Sequence, residues 1–278
     1  MRIIVFSKMF KDKSVEELIE TAQRCEFEGY DLCVRPGYPV NPDNASGALP
    51  EAAKKMKRSG LGVPMVTGNF DLLAPDHPTA KPILAAMDKA DIRLIKLGYF
   101  NFDPLAQDYW SEVDRIRRIF EQWEKLSRAY NVKICYHTHS NRCMGLNCAS
   151  LAHLVQDFDP RYIGAYIDPG HMVVEGEEFS VGVAMVRKHL SMIAVKDAVL
   201  IRGEKDGHGS KVAHFVPAGE GMVDWTGVFA ELVRIGFEGP LSIHCEFEVS
   251  KDEFPGAFER EVRFFKEQRS KALAGRGA

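Results

Sequence analysis

The sequence predicts a single (β/α)8 barrel, and three observations support that prediction. Short β-rich runs alternate eight times with amphipathic helical stretches along the 278 residues, which is the order of elements in such a barrel. Several of the short runs are apolar throughout, as is typical of parallel strands covered on both faces. No shift in composition or low-complexity linker divides the chain, so we expect one domain over residues 1–278. An open doubly wound sheet is the main alternative.

Each predicted unit consists of a strand and the helix that follows it. In the first unit, Ser14 and Glu17 have the spacing of a capping box at the start of the helix. The last residues, SKALAGRGA, are expected to fray. The units, strand first, are RIIVFS with SVEELIETAQRCEF, YDLCVRPG with ASGALPEAAKKMKRSG, LGVPMVTGN with TAKPILAAMDKA, IRLIKLGYF with YWSEVDRIRRIFEQWEKLSRAY, VKICYHTH with NCASLAHLVQDF, YIGAYIDPGH with SVGVAMVRKH, LSMIAVKDAV with DWTGVFAELVRIG, and GPLSIHCEFE with FPGAFEREVRFFKEQRSKAL.

Composition and charge exclude several kinds of partner. The net charge is −3, so no bulk attraction to nucleic acid or to an anionic membrane is expected. The N-terminal apolar run is too short for a signal peptide, and no run approaches membrane-spanning length. The six cysteines include no CxxC pair, which is typical of a reduced cytoplasmic protein. We therefore expect a cytoplasmic protein with no nucleic-acid or membrane partner, and the aromatic-rich last helix leaves a homo-oligomer open.

Ionisable side chains follow the last four predicted strands, at the end of the barrel where such enzymes carry their active sites. His137 and His139 end the fifth strand, and their spacing of two places both on one strand face. Histidine and carboxylate side chains from separate strands are common ligands of divalent cations. The sequence therefore predicts a metal site at this end of the barrel. Its predicted ligands are His137, Asp168, His244 and Glu246.

Earlier strands supply two further basic side chains at the same end. Arg35 and Lys96 are candidates for substrate binding, and interior ion pairing is an equally open interpretation of both. The loop Val216–Trp225 contains Gly219 and Gly221, which permit a tight turn. It is not followed by the GKS or GKT of a Walker loop, and the sequence contains neither a GxGxxG fingerprint nor a GxSxG elbow. A nicotinamide or flavin cofactor is therefore not expected.

Four segments resemble the xylose isomerase-like TIM-barrel superfamily, and the resemblance extends over nearly the whole chain: YIDPGHMVVEG, AVKDAV, VPAGEGMVDW and GFEGPLSIHCEFE. That superfamily contains sugar isomerases and epimerases, and a branch of apurinic-site endonucleases. For the epimerases, the resemblance implies a divalent cation such as manganese. Its ligands would be a glutamate on strand 5, an aspartate on strand 6, a histidine on strand 7 and a glutamate on strand 8. The two glutamates also move protons on opposite faces of the substrate.

This chain departs from that pattern at three of the four ligand positions. Asp168 matches the aspartate, whereas His137 and His244 stand where the glutamates are expected. The strand-7 position falls on Ala194, which cannot bind a metal, so either one ligand is lost or Glu246 replaces it. Since a metal-bound imidazole is a poor proton shuttle, we do not expect two-base epimerisation unchanged.

The resemblance implies a metal-dependent enzyme that removes a proton next to the carbonyl of a small carbohydrate, either a keto-sugar or a keto-glycoside. Manganese or cobalt is the expected metal, with zinc or magnesium as alternatives. His139, His171 and Lys196 supply bases for the proton transfer, and His171 matches a substrate-facing histidine of the family.

The outcome of that proton removal is open. Reprotonation would give isomerisation or epimerisation, and loss of a β leaving group would give elimination, which we slightly favour. Two different functions also stay open: a phosphodiesterase acting on abasic DNA, and a catalytically inactive barrel that binds a sugar.

Overall fold

Eight parallel strands close into a barrel in the computed structural model, which describes residues 1–275. The barrel strands are β1 (Arg2–Phe6), β2 (Gly29–Cys33), β3 (Gly62–Thr67), β4 (Leu94–Lys96), β5 (Lys133–His137), β6 (Ile163–Ile167), β7 (Leu190–Val195) and β10 (Pro240–Ile243). Around the barrel the order is β1, β10, β7, β6, β5, β4, β3 and β2, and β2 pairs again with β1. The predicted (β/α)8 fold is therefore confirmed.

Helices surround the barrel, and the first begins with the predicted capping box between Ser14 and Glu17. No helix within residues 1–275 is long and apolar enough to cross a bilayer. The tail that was expected to fray is helical as far as Ala274, and residues 276–278 lie outside the described part. The helices are α1 (Val15–Cys25), α2 (Ala45–Arg58), α3 (Ala80–Lys89), α4 (Tyr109–Tyr130), α5 (Cys148–Val155), α6 (Pro169–Glu175), α7 (Phe179–Val186), α8 (Trp225–Arg234) and α9 (Phe254–Ala274).

The barrel interior has its own small core, separate from the layer between strands and helices. Alternation along each strand sends one set of side chains inward and the next set outward. Ile3 and Val5 belong to the outer layer, while Ile4 between them belongs to the interior. Because the interior is filled, a ligand site can form only at an end of the barrel. The interior residues are Ile4, Met65, Cys135, Tyr166, Met192 and Ala194.

A β-hairpin that the sequence pattern did not predict follows the seventh barrel strand. The run LSMIAVKDAV was expected to be one strand leading to a helix, but β7 ends at Val195. The antiparallel strands β8 (Asp197–Lys205) and β9 (His208–Val216) come next. Asp206 and Gly207 join them with positive φ angles of 53° and 78°, as in a type I′ turn. The Asp-Gly pair is the sequence signal for this hairpin.

The loop between this hairpin and α8 folds around the carboxylate of Asp197. Four backbone N–H groups and the indole N–H of Trp225 donate to it, at 2.9–3.2 Å. A Cβ atom at Gly221 would lie 2.0 Å from Asp197 Oδ1, so only glycine fits there. The predicted loop before the seventh barrel helix is thus held by one buried side chain.

Glu261 of α9 supports the same loop and gives the fold a dependence on pH. Its Oε2 accepts from the N–H of Ala218 at 2.8 Å, while its Oε1 is buried with no partner within residues 1–275. Burial, with a smaller contribution from the negative charges of Asp197 and Glu220, raises the pKa of Glu261 to about 8. The folded protein therefore retains a proton that the unfolded chain releases near pH 4.5.

We expect the wild-type protein to lose stability as the pH rises from 6 to 9, and Glu261→Gln to lose less. The raised pKa of Glu261 stabilises the folded state by its full amount below pH 4.5. This stabilisation is lost as the pH rises through about 8. Between pH 6 and 9 the two proteins should diverge by about 2–3 kcal/mol in unfolding free energy. Urea denaturation at both pH values measures this, and parallel pH profiles would contradict it.

Candidate active site

The structure brings the predicted site residues together at the carboxyl-terminal mouth of the barrel. Each of these side chains belongs to the end of a barrel strand or to the first residues after it. All but His139 and Glu246 are buried, and those two are partly exposed. We call this set the mouth cluster. It consists of Arg35, Lys96, His137, His139, Asp168, His171, Lys196, His244 and Glu246.

The ammonium group of Lys196 lies at the centre of the mouth cluster. Its Nζ is 2.9 Å from Glu246 Oε2, 2.9 Å from His171 Nε2 and 3.4 Å from Asp168 Oδ2. Burial alone would lower the pKa of Lys196, but the charges of Asp168 and Glu246 outweigh burial and raise it. Lys196 is therefore charged at neutral pH.

Because an ammonium group can only donate, Nε2 of His171 must accept from Lys196. The other ring nitrogen, Nδ1, lies 2.8 Å from the hydroxyl of Ser140 and 3.4 Å from the backbone N–H of the same residue.

Glu246 is held as a carboxylate by two lysines. Besides Lys196, its side chain forms an ion pair with Lys8, from the turn after β1. Burial would raise the pKa of Glu246, yet the neighbouring positive charges, Lys196 foremost, hold it well below its usual range. Since Lys8 and Lys196 each pair with one oxygen of this carboxylate, neither oxygen is free to accept a substrate proton.

The four imidazoles of the mouth cluster are neutral near pH 7. Burial is the main cause in each case, and lysine charges add to it. It lowers the pKa of His139 and of His244 to about 4, and it holds the pKa values of His137 and His171 well below 6.5.

His139 is the best placed of the four to act as a base. Its Nδ1 lies 2.9 Å from the carbonyl oxygen of Ser140, which can only accept, so Nδ1 carries the proton. Nε2 therefore has a free lone pair. Within residues 1–275 it has no hydrogen-bond partner, and the side chain is partly exposed.

Arg35 and Lys96 lie beside these imidazoles. Arg35 donates through Nε to the carbonyl of Gly68 at 2.9 Å, and its guanidinium lies over the ring of Phe70. Lys96 donates to the carbonyl of Leu97, and its Nζ is 3.9 Å from the centre of the Tyr99 ring. Burial, together with the charge of Arg35, lowers the pKa of Lys96 to about 7. Neither cation pairs with a carboxylate within 4.0 Å in the described residues, so substrate contact is the interpretation we retain for both.

The predicted metal ligands fit a divalent cation only in part. His137 Nε2 and Asp168 Oδ2 are buried without hydrogen-bond partners and lie 3.7 Å apart. His244 instead bonds through Nε2 to the hydroxyl of Tyr166, at 2.9 Å. Glu246 pairs with Lys8 and Lys196, as described above.

Across residues 1–275, no group of three or more His, Cys, Asp or Glu side chains is arranged to hold a metal ion. The four predicted ligands, as placed, do not share one cation. Metal binding by this chain stays a prediction.

Several residues of the site were not predicted from the sequence. Tyr99 bonds to Nδ1 of His137 at 2.8 Å and packs on His139. Asp31 is buried and accepts from the hydroxyls of Thr67 and Ser242, and burial raises its pKa to about 6. Asp31 could have been recognised from the sequence, because it is a charged residue inside the apolar run of β2. No comparable signal marks Phe215 of the hairpin, whose ring lies 4.2 Å from Lys196 Nζ.

The closed parallel barrel and the polar cluster at its carboxyl-terminal mouth define a (β/α)8-barrel protein with one candidate active site at that end. Residues 12–268 match the model of the xylose isomerase-like TIM barrel family. The chain therefore belongs to that family, as its sequence resemblance implied.

Known proteins similar to this chain include dehydratases and epimerases. Inosose dehydratase of Geobacillus thermodenitrificans is 26% identical over 144 residues, covering 45% of this chain and 48% of the relative. The chain thus matches about half the length of that curated relative. The structure of 3-keto-D-glucoside 4-epimerase from E. coli has a TM-score of 0.73 at 14% identity, covering 96% of this chain and 99% of that chain. That of a probable 3-DHS dehydratase from Bacillus anthracis has a TM-score of 0.70 at 15% identity, with 96% and 99% covered.

Proposed function

We propose that this chain is an enzyme that removes a proton next to the carbonyl group of a keto-sugar, a keto-glycoside or a cyclic polyol ketone. One observation carries the proposal: a neutral imidazole with a free lone pair, His139, lies beside a buried ammonium group. The rings of His139 and His171 are 4.2 Å apart, and His171 bonds to Lys196. A base for carbon and a positive charge for oxygen are what such a proton removal requires.

The step can be written with these groups. The C–H bond next to the carbonyl breaks, and its proton moves to Nε2 of His139. The electron pair of that bond forms a C=C bond, and the carbonyl π electrons move to oxygen, giving an enolate. The charge of Lys196 stabilises that oxygen. In isomerisation or epimerisation, the imidazolium of His139 returns the proton to carbon. In elimination, the C=O bond of the enolate re-forms, a C=C bond forms to the β carbon as its C–O bond breaks, and the departing hydroxyl takes the proton from His139 and leaves as water.

Return of the proton to carbon gives isomerisation or epimerisation, whereas loss of water gives a dehydratase. The curated relative named above is an inosose dehydratase, and loss of water from a β-hydroxy ketone is an elimination. This supports elimination as the favoured outcome. The neutral imidazole at His137, which replaces a family glutamate, also leaves the site without a second carboxylate base on strand 5.

The experiment is a panel of keto-sugars, keto-glycosides and keto-inositols incubated in D2O and followed by NMR, with and without added Mn2+ or Co2+. We expect an unsaturated product from at least one member of the panel. Deuterium in an otherwise intact sugar would identify an isomerase or epimerase instead. If no member exchanges a carbon-bound proton under any of these conditions, the proposed function is wrong.

A further inference from the structure

Lys196 lies where the carboxylates of the mouth cluster converge. Its Nζ is 2.9 Å from an oxygen of Glu246 and 3.4 Å from an oxygen of Asp168, and its side chain is only 4% exposed. A divalent metal ion would have to lie about 2.1 Å from both oxygens. Such an ion would meet the ammonium group at short range, where two positive charges repel strongly.

The charge balance of the mouth leads to the same conclusion. Within residues 1–275 its buried or partly buried carboxylates are those of Asp31, Asp168 and Glu246. Three positive charges oppose them, on Lys8, Arg35 and Lys196, and Lys96 adds a partial one because its pKa is about 7. The negative charges are therefore already compensated. A dication would leave an excess of positive charge among poorly solvated groups, which is costly.

We propose that the ammonium group of Lys196 takes the place of the divalent cation in this barrel, so that the site works with an internal cation and without a metal. The inference rests on the proposed function for its chemical role. Two N–H groups of Lys196 are directed to His171 and Glu246, and the third faces Asp168 Oδ2 at 3.4 Å, outside hydrogen-bond geometry. A substrate carbonyl oxygen bound beside Asp168 would accept from that third N–H.

The two unpartnered atoms next to Lys196 have a role in the same scheme. His137 Nε2 and Asp168 Oδ2 are 3.7 Å apart, and Lys196 is within 3.4 Å of that carboxylate oxygen. Unsatisfied buried polar atoms are costly unless a ligand satisfies them. A polyol hydroxyl bound between them would satisfy both, so we assign them to substrate hydroxyl recognition.

The test compares wild-type protein with Lys196→Met, which keeps the length of the side chain and removes its charge. Each protein is stripped with EDTA, exposed to Mn2+, desalted and assayed for bound metal, and its affinity for Mn2+ is titrated. We expect less than about a tenth of an equivalent on the wild type. We expect Lys196→Met to bind Mn2+ about 30-fold or more tightly than the wild type, since Asp168 and Glu246 lose their counter-ion.

Lys96→Met is the matched control, because it removes another buried lysine of the mouth that does not bridge these carboxylates. Its affinity for Mn2+ should stay within about threefold of the wild type. One equivalent of Mn2+ held at micromolar affinity by the wild type would overturn the inference, whether or not any variant folds. A folded Lys196→Met protein with no gain in Mn2+ affinity would overturn it as well.

The activity assays separate this inference from the proposed function. Turnover of a keto-sugar that survives EDTA supports both. Turnover that requires added Mn2+ refutes the internal cation and leaves the proposed function standing. If nothing in the substrate panel reacts, the proposed function fails, and the metal titrations of wild type and Lys196→Met still decide whether Lys196 replaces the cation.

Discussion

Asp197→Asn should lower the free energy of unfolding by about 3–5 kcal/mol, the largest loss of stability expected from a single isosteric change in this chain. The Asp197 carboxylate accepts five N–H groups and has no donor of its own. An asparagine turns one oxygen into an NH2 group, which then faces N–H donors that have no other acceptor. Urea denaturation followed by circular dichroism measures the loss.

Asp224→Asn is the control for this change. Asp224 caps α8 by accepting from the N–H of Gly227 at 2.9 Å, and asparagine caps a helix about as well as aspartate. That variant should stay within about 0.5 kcal/mol of the wild type. If the two variants lose equal stability, the carboxylate of Asp197 does not hold the loop in the way described.

His139→Asn should reduce kcat by about 10²- to 10⁴-fold on the substrate that the panel identifies. Asparagine can still donate to the carbonyl of Ser140, as Nδ1 of His139 does at 2.9 Å. It lacks an atom equivalent to Nε2, so the loop keeps its anchor while the base is removed. Steady-state kinetics should show a fall in kcat with KM changed by less than about threefold.

His153→Asn provides the comparison for that experiment. His153 lies in α5, where its ring contacts Tyr109 and Trp110 rather than any residue of the mouth. This variant should retain wild-type activity. If His139→Asn retains more than about a third of the wild-type kcat, the base is another group, and Lys96 is then the next candidate because its pKa is about 7.

The barrel could be predicted from sequence because its pattern is local and repeated. Eight apolar runs, each followed by an amphipathic stretch, fix the order of elements, and a parallel barrel then places every strand end at one mouth. That pattern correctly predicted that Asp168, Lys196 and Glu246 lie in one place. The prediction failed at Asp206-Gly207, where a turn signal separates two strands of a hairpin that the apolar pattern alone does not distinguish from the end of β7.

Roles within the mouth could not be predicted, because they depend on distances of a few ångströms. The sequence placed the strand-7 ligand at Ala194, which is buried in the barrel interior. Lys196, two residues further and on the same face of the chain, supplies the polar group instead. Whether a lysine contacts a carboxylate or a substrate depends on side-chain direction and on neighbours such as Phe215, and neither has a periodic signature.

The β8–β9 hairpin covers one side of the candidate active site. Phe215 packs against His171 and Lys196, whereas the side chain of Phe70 is 55% exposed. If the ketone of the proposed substrate reaches Lys196, Phe215 already occupies the space on the hairpin side of that ammonium group. We therefore expect a bulky substituent to be tolerated only where it points away from Phe215, so that positional isomers of a keto-glycoside that present the same ketone react at different rates.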